Sequence, residues 1–233
     1  MSSTSPRFIL ASGSPQRKQL LTEAGYRFEV IVPNDSAEDC GICSTGGPAA
    51  LVTDLALRKA ADVASTLASR SKSLSPTLIV ACDTVAECAG AVLGKPRDED
   101  HARDMLQRLR GQQQRVFSGV CLWPLGLWQL RPRQMGLRQM GPGQMGLRQV
   151  DMTGSIETPQ TSLAVTQLRM DAISDSDLED YLASGLWRGK AGALGYQDRP
   201  GWLHLLEGSK SNVIGLPMEL LAEQLAQLGL TLD

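Results

Sequence analysis

An acidic residue and a lysine that bracket a short apolar hairpin are the first residues in this sequence whose types and spacing could do chemistry. The stretch from Ala81 to Pro96 reads ACDTVAECAGAVLGKP, with Asp83 near its start, Lys95 near its end and Gly90 placed for a turn between them. Before it, Thr77 to Ala81 is an apolar, β-branched-rich run, the pattern of a strand buried on both faces. That reading puts Asp83 and Thr84 at the strand's C-terminal end, where open α/β sheets bind ligands. A carboxylate and an ammonium facing one cleft are the parts needed to hold a metal and a phosphate together. A solvated turn carrying an ordinary ion pair fits the same residues.

A second constellation lies near the N-terminus. Phe8 to Ala11 has the pattern of a buried strand, and Ser12-Gly13-Ser14-Pro15-Gln16-Arg17 leads from it into an amphipathic helix. Ser14 suits the N-cap and Pro15 the first helical position, and Gly25 supplies the stop. Strand, small-residue turn and helix N-terminus bring unpaired backbone N–H groups beside two hydroxyls and Arg17, which makes an anion site. Taken alone, a plain capped helix reads the same way.

The elements that must position these groups alternate along the chain. Phe28 to Val32 reads as a strand, a polar loop from Pro33 to Pro48 carries Asp35, Glu38 and Asp39, and Ala49 to Leu67 reads as a helix with Lys59 near its middle. Asp98 caps a helix whose positions Ala102, Met105, Leu106 and Leu109 keep i, i+3, i+4, i+7 spacing, with Gly111 as its end. Val116 to Trp123 and Leu163 to Met170 read as paired strands. Ser174 with Asp177 opens another helix. The stretch from Gly189 to Gln197 is so rich in small residues that its backbone must pass close to a strand or a ligand. Trp202 to Leu206 is a further strand, and Pro217 to Leu228 the last helix. This alternation predicts an α/β, mixed-sheet fold.

Pro124 to Gln160 breaks the pattern. Its middle repeats a five-residue unit, PRQMG, LRQMG, PGQMG, LRQVD, from Pro132 to Asp151. Glycine and proline recur too often there for a helix, and nothing alternates as a strand does. The stretch reads as a flexible surface insertion, kept soluble by Arg131, Arg133, Arg138 and Arg148, within a single domain spanning 1–233. Four arginines without interleaved aromatics are weak evidence for the other reading, a partner-binding or nucleic-acid arm.

Composition limits the function classes. The chain has 233 residues, 42% of them hydrophobic, and a formal net charge of -2. That balance gives no general attraction to nucleic acid or to an anionic membrane, so an anion site must be local. No run reaches the length of a membrane span and the N-terminus lacks a signal peptide's pattern, which points to the cytoplasm. Five cysteines, an odd number, fit a reducing compartment. Cys40 and Cys43 form a C-x-x-C, but Cys82, Cys88, Cys121, His101 and His204 do not complete a zinc set, and the pair reads as part of a loop.

ILASGSPQR, ACDTV, LGKP, KAGALGYQ and SNVIGLP, in that order, resemble the Maf family of nucleoside triphosphate pyrophosphatases. The resemblance runs from Phe8 to about Leu228 and fails only across the insertion. It implies a mixed α/β fold of two lobes around a central cleft, hydrolysis of a (d)NTP such as dTTP, UTP or a modified nucleotide to its monophosphate and diphosphate, a divalent cation (Mg²⁺, Mn²⁺ or Co²⁺), and often a homodimer. By position, Asp83 is similar to the family's proton acceptor and metal ligand, Lys95 to the GKP lysine, and Ser12, Ser14 and Arg17 to its phosphate-handling turn. Lys59 would add to the phosphate site, and Glu38, Asp35 and Asp39 compete for one metal-facing role. The base-selecting positions are Gln16, Thr84 and Gln197. The dTTP/UTP type carries Arg, Thr and Gln there and the 7-methyl-GTP type an aromatic, Gln and Glu, so two of the three follow the pyrimidine type. The family's other implied role is a nucleotide-binding regulator of septum formation without efficient catalysis.

Overall fold

A computed structural model describes residues 6–34, 37, 46–70, 75–126 and 158–230. Its centre is one mixed sheet of seven strands in the order β2-β1-β3-β5-β6-β7, with β4 pairing on β3. The strands are β1 (Arg7–Ala11), β2 (Glu29–Val30), β3 (Thr77–Cys88), β4 (Ala91–Leu93), β5 (Gln113–Leu125), β6 (Gln160–Met170) and β7 (Leu203–Glu207). Strands β2, β1 and β3 run parallel, and β5, β6 and β7 follow antiparallel.

The main departure from the sequence reading is in β3. The apolar run does not end the strand at Ala81; pairing with β5 continues from Thr77 through Glu87, so Asp83 and Thr84 lie within a 12-residue strand. The site nevertheless sits at a strand end, because β1 stops at Ala11, opposite Ala81. On that same edge β4 pairs only with Ala86 to Cys88. Residues 82–85 therefore face a gap in the sheet edge, and that gap is where the cleft opens.

Helices cover both faces. Helix α2 (Gly47–Arg70) lies on one face, burying Ala56, Ala60 and Val63 against Ile9, Ile79 and Cys121, and Leu51, Val52 and Leu55 against Val85 and Phe117. On the other face, α1 (Pro15–Glu23) and α6 (Met218–Gln227) pack over Leu10, Val80, Cys82 and Leu122. Helices α3 (Glu99–Leu109) and α4 (Asp175–Ser184) pack over Ala86, Val116, Leu168 and Met170 on the same face but further along the strands. Two lobes thus share one sheet, with the cleft between them.

Several local signals act as expected. The Ser14 hydroxyl accepts from the Arg17 N–H, Asp98 from the His101 N–H, and Ser174 with Asp177 closes a capping box. The hairpin turns at Ala89 and Gly90, both at positive φ. Other bounds move. The second strand shrinks to Glu29–Val30, and SNVI forms a separate helix, α5 (Lys210–Ile214), ahead of the last one. Pro124, Leu125 and Gln160, read from sequence as insertion, belong to β5 and β6. The pentapeptide repeat, Glu38, Asp35, Asp39, Cys40 and Cys43 lie outside the described residues. No helix among the described residues is long and apolar enough to cross a membrane.

Candidate active site

The cleft has a volume of roughly 440 Å³, within the range of small-ligand sites. Ser12, Ser14, Gln16, Arg17, Lys59, Asp83, Thr84, Lys95 and Gln197 all line it. Residues nearly two hundred positions apart in the chain are gathered here because β1, β3, the β4 hairpin and the small-residue stretch after α4 all end at the sheet-edge gap.

Asp83 and Thr84 are consecutive on β3 and so point to opposite faces of the sheet. Asp83 faces α2, where the Lys59 ammonium donates to its Oδ1 at 2.7 Å. Both side chains are well covered, 4% exposed for Lys59 and 14% for Asp83. Helix α2 reaches that close because Gly119 stands opposite Asp83 on β5: a Cβ there would lie 2.3 Å from the Val52 carbonyl oxygen. Lys59, read from sequence as a phosphate ligand, is thus first a partner that orients Asp83. The carboxylate's Oδ2 has no hydrogen-bond partner among the described residues and is left for chemistry. Lys95 is exposed on the cleft wall beside Gly94, whose carbonyl accepts from the Gly192 N–H at 3.0 Å.

Arg17 is buried, and its guanidinium is largely committed to the protein. Its Nε donates to the Gly215 carbonyl at 2.7 Å, one terminal nitrogen to the Cys82 carbonyl at 2.6 Å and to Ser12 Oγ at 3.1 Å, and the other to Thr84 Oγ1 at 3.2 Å. It fills the sheet-edge gap, bonding the β3 carbonyl that β1 is too short to pair. Of its five N–H groups, four are taken, so a phosphate would meet one. Ser12 is also buried, its Oγ accepting from the Ser14 N–H as well as from Arg17. Ser14 donates to Gln16 Oε1 at 3.0 Å, which leaves the Gln16 NH₂ as a donor toward the cleft. Thr84 Oγ1 lies 2.8 Å from Ser118 Oγ and 3.3 Å from the Gly215 carbonyl besides receiving Arg17, so its hydroxyl has little left for a base.

One cluster was not assigned from sequence. Asp198 Oδ1 and Oδ2 accept from the Lys190 ammonium at 2.6 and 2.5 Å, Oδ2 also from the Tyr181 hydroxyl at 2.6 Å and from the Gly195 N–H at 3.0 Å. Burial, with the neighbouring Asp198 carboxylate, holds the Tyr181 hydroxyl well above the usual phenol range. This half-buried ion pair staples the loop that carries Gln197. The glycines in the stretch have the close approach that their density suggests: a Cβ on Gly192 would meet Ala86 Cβ at 3.1 Å. A lysine and an aspartate eight residues apart around GALGYQ give no signal until the loop is folded.

A family model for Maf-like protein matches residues 7–228. A dTTP/UTP pyrophosphatase of Rhodopirellula baltica is 43% identical over 218 residues, covering 93% of this chain and 80% of that protein. One from Elusimicrobium minutum is 33% identical, covering 96% of this chain and 99% of that protein, and one from Ralstonia nicotianae is 32% identical, covering 97% and 96%. The match spans the strands, the cleft and both lobes, and the chain belongs to the Maf-like protein family.

Proposed function

We propose that this chain hydrolyses a nucleoside triphosphate, dTTP or UTP by preference, to the nucleoside monophosphate and diphosphate. The observation that carries this reading is the Asp83 carboxylate, which lines the cleft while Lys59 bonds one of its two oxygens. Relatives named dTTP/UTP pyrophosphatase support the substrate class. Water attacks the α-phosphorus, the bond to the bridging oxygen breaks, and diphosphate leaves. Asp83 Oδ2 accepts the proton of the attacking water. Lys95, which also lines the cleft, offsets charge that gathers on the leaving diphosphate, and the helix α1 N-terminus with Ser14 positions the phosphates.

A divalent cation belongs to this reading. Asp83 offers the hard oxygen donor that Mg²⁺, Mn²⁺ or Co²⁺ takes together with substrate phosphates and water, and among the described residues no further acidic, His or Cys cluster competes for it. When bound, such an ion draws charge from the phosphates and acidifies coordinated water. Glu38 is the proposed second donor from the loop outside the described residues. Buried free thiols at Cys82, Cys88 and Cys121 support a reducing, cytoplasmic setting. A regulator that only binds nucleotide would gain nothing from a half-buried carboxylate placed beside the phosphates.

Nucleoside triphosphates incubated separately with Mg²⁺, Mn²⁺ and Co²⁺ should release pyrophosphate, fastest from dTTP or UTP and slowly from 7-methyl-GTP. Release of orthophosphate, or no turnover with any pairing, would overturn the proposal.

A further inference from the structure

The apolar end of the cleft contains an amide that nothing so far employs. On the sheet face that bears Thr84, the β5 residues run Ser118, Val116, Gln114, paired in turn with Thr84 and Ala86 on β3 and, at Gln114, with Leu168 on β6. Gln114 is 5% exposed, yet it lines the cleft, among Leu109, Val116, Leu168 and Leu203. Its side chain makes no hydrogen bond to any described residue, and it is not among the polar atoms sealed away from solvent. A carboxamide in apolar surroundings is costly to hold without partners, so its donor and acceptor are available to whatever fills this end of the cleft. Its polar neighbours in the cleft differ from it: Thr84 is bonded to Arg17, Ser118 and Gly215, Gln16 Oε1 is taken by Ser14, and Gln197 is exposed to solvent.

We infer that Gln114 reads the nucleobase. The ring lies against the leucine and valine wall, and the amide pairs with the edge that carries O4 and N3–H in uracil or thymine, giving one hydrogen bond and taking the other. The inference rests on the nucleotide reading above. Asp83 projects from the opposite face of β3, so loss of the Gln114 contact weakens binding and leaves the chemical step alone. Gln114 is therefore a specificity residue and not a catalytic one.

Gln114→Met keeps the length of the side chain and removes both hydrogen bonds. It should raise KM for UTP and dTTP about tenfold to a hundredfold with kcat unchanged, the effect of leaving buried polar groups unpaired. Ribose 5-triphosphate, which has no base, should be hydrolysed equally by the wild type and the variant. Gln114→Glu replaces the donor by an acceptor, which repels O4 but still accepts from the amino group of cytosine. The kcat/KM ratio of CTP to UTP should then rise about tenfold. Thermal melting of both variants establishes that they fold, and the two carry the test independently. An active wild type whose substrate ranking neither substitution alters, or a Gln114→Met variant that loses ribose 5-triphosphate as strongly as UTP, overturns this inference alone. A wild type inactive on every triphosphate overturns the parent reading and this one together.

Discussion

Asp83 has two neighbours to satisfy, and they demand different things of it. Lys59 is nearly buried and needs its negative charge, while the proposed chemistry needs its second oxygen as a base. Asp83→Asn keeps an oxygen for the Lys59 hydrogen bond but removes both the charge and the base. Turnover should fall by about a hundredfold to ten-thousandfold. Stability should fall too, by up to about 3 kcal/mol, because the buried Lys59 ammonium then meets a neutral amide in place of a carboxylate. Steady-state rates and a urea melt measured on the same preparation separate the two effects, and near-normal kcat would remove Asp83 from the mechanism. Elsewhere in the cleft, Gln16→Arg should sharpen preference for dTTP and UTP over GTP by about fivefold, since a charged donor bonds more strongly than an amide. Comparison of kcat/KM across those substrates checks it. Residue types were legible in the sequence, but duties were only partly so. Arg17 reads as a phosphate ligand beside a helix N-terminus, yet two of its donors go to the carbonyls of Cys82 and Gly215, the latter 198 residues away, and two more to the hydroxyls of Ser12 and Thr84. Gln114 gave no signal, because it falls before Val116, where the strand reads as beginning, in a glutamine run that looks solvent-facing until β5 extends through it and the lobe that buries it is in place.

At the level of elements, the register of β5 on β3 decides the site. Gly119 faces Asp83 across the ladder, and its lack of a side chain allows α2 to lie against the sheet so that Lys59 meets the carboxylate. Gly119→Ala would force the helix outward at Val52 and misplace that pair. The expected result is a loss of about 1 to 3 kcal/mol from overpacking and, from a displacement on the order of 1 Å, a roughly hundredfold lower kcat. Denaturant melts and kinetics read both; an unchanged kcat would mean that the Lys59 contact does not orient the base. Such pairing explains why β3 looked shorter in sequence than it is. The apolar signal fades after Ala81, where Asp83, Thr84 and Glu87 interrupt it, and the strand persists because β5 supplies a full-length partner. Helices were easier to read than strands, since caps such as Ser14, Asp98 and Ser174 are local chemistry. Partners of a strand are not local, and a one-turn helix such as α5 has too few residues to show a period.

For the whole molecule, the two lobes on one sheet face are joined by β3, β5 and β6, and the cleft follows from the spacing between α1 with α6 and α3 with α4. The connection from β5 to β6 runs between neighbouring antiparallel strands, with Leu122 paired to Gln160. A short turn suffices to join such a pair, so the ladder itself makes no demand on the pentapeptide repeat. Removing Arg131 to Gln149 leaves more than enough chain to close that connection. Shortening a loop changes its closure entropy only slowly, and a glycine- and proline-rich sequence has little apolar surface to lose. The deletion variant should therefore melt within a few degrees of the full chain and keep kcat/KM for UTP within about twofold. A differential scanning experiment paired with pyrophosphate release decides the matter. A large drop in melting temperature would show that the repeat packs on the sheet, and a loss of activity at unchanged melting temperature would show that it reaches the cleft.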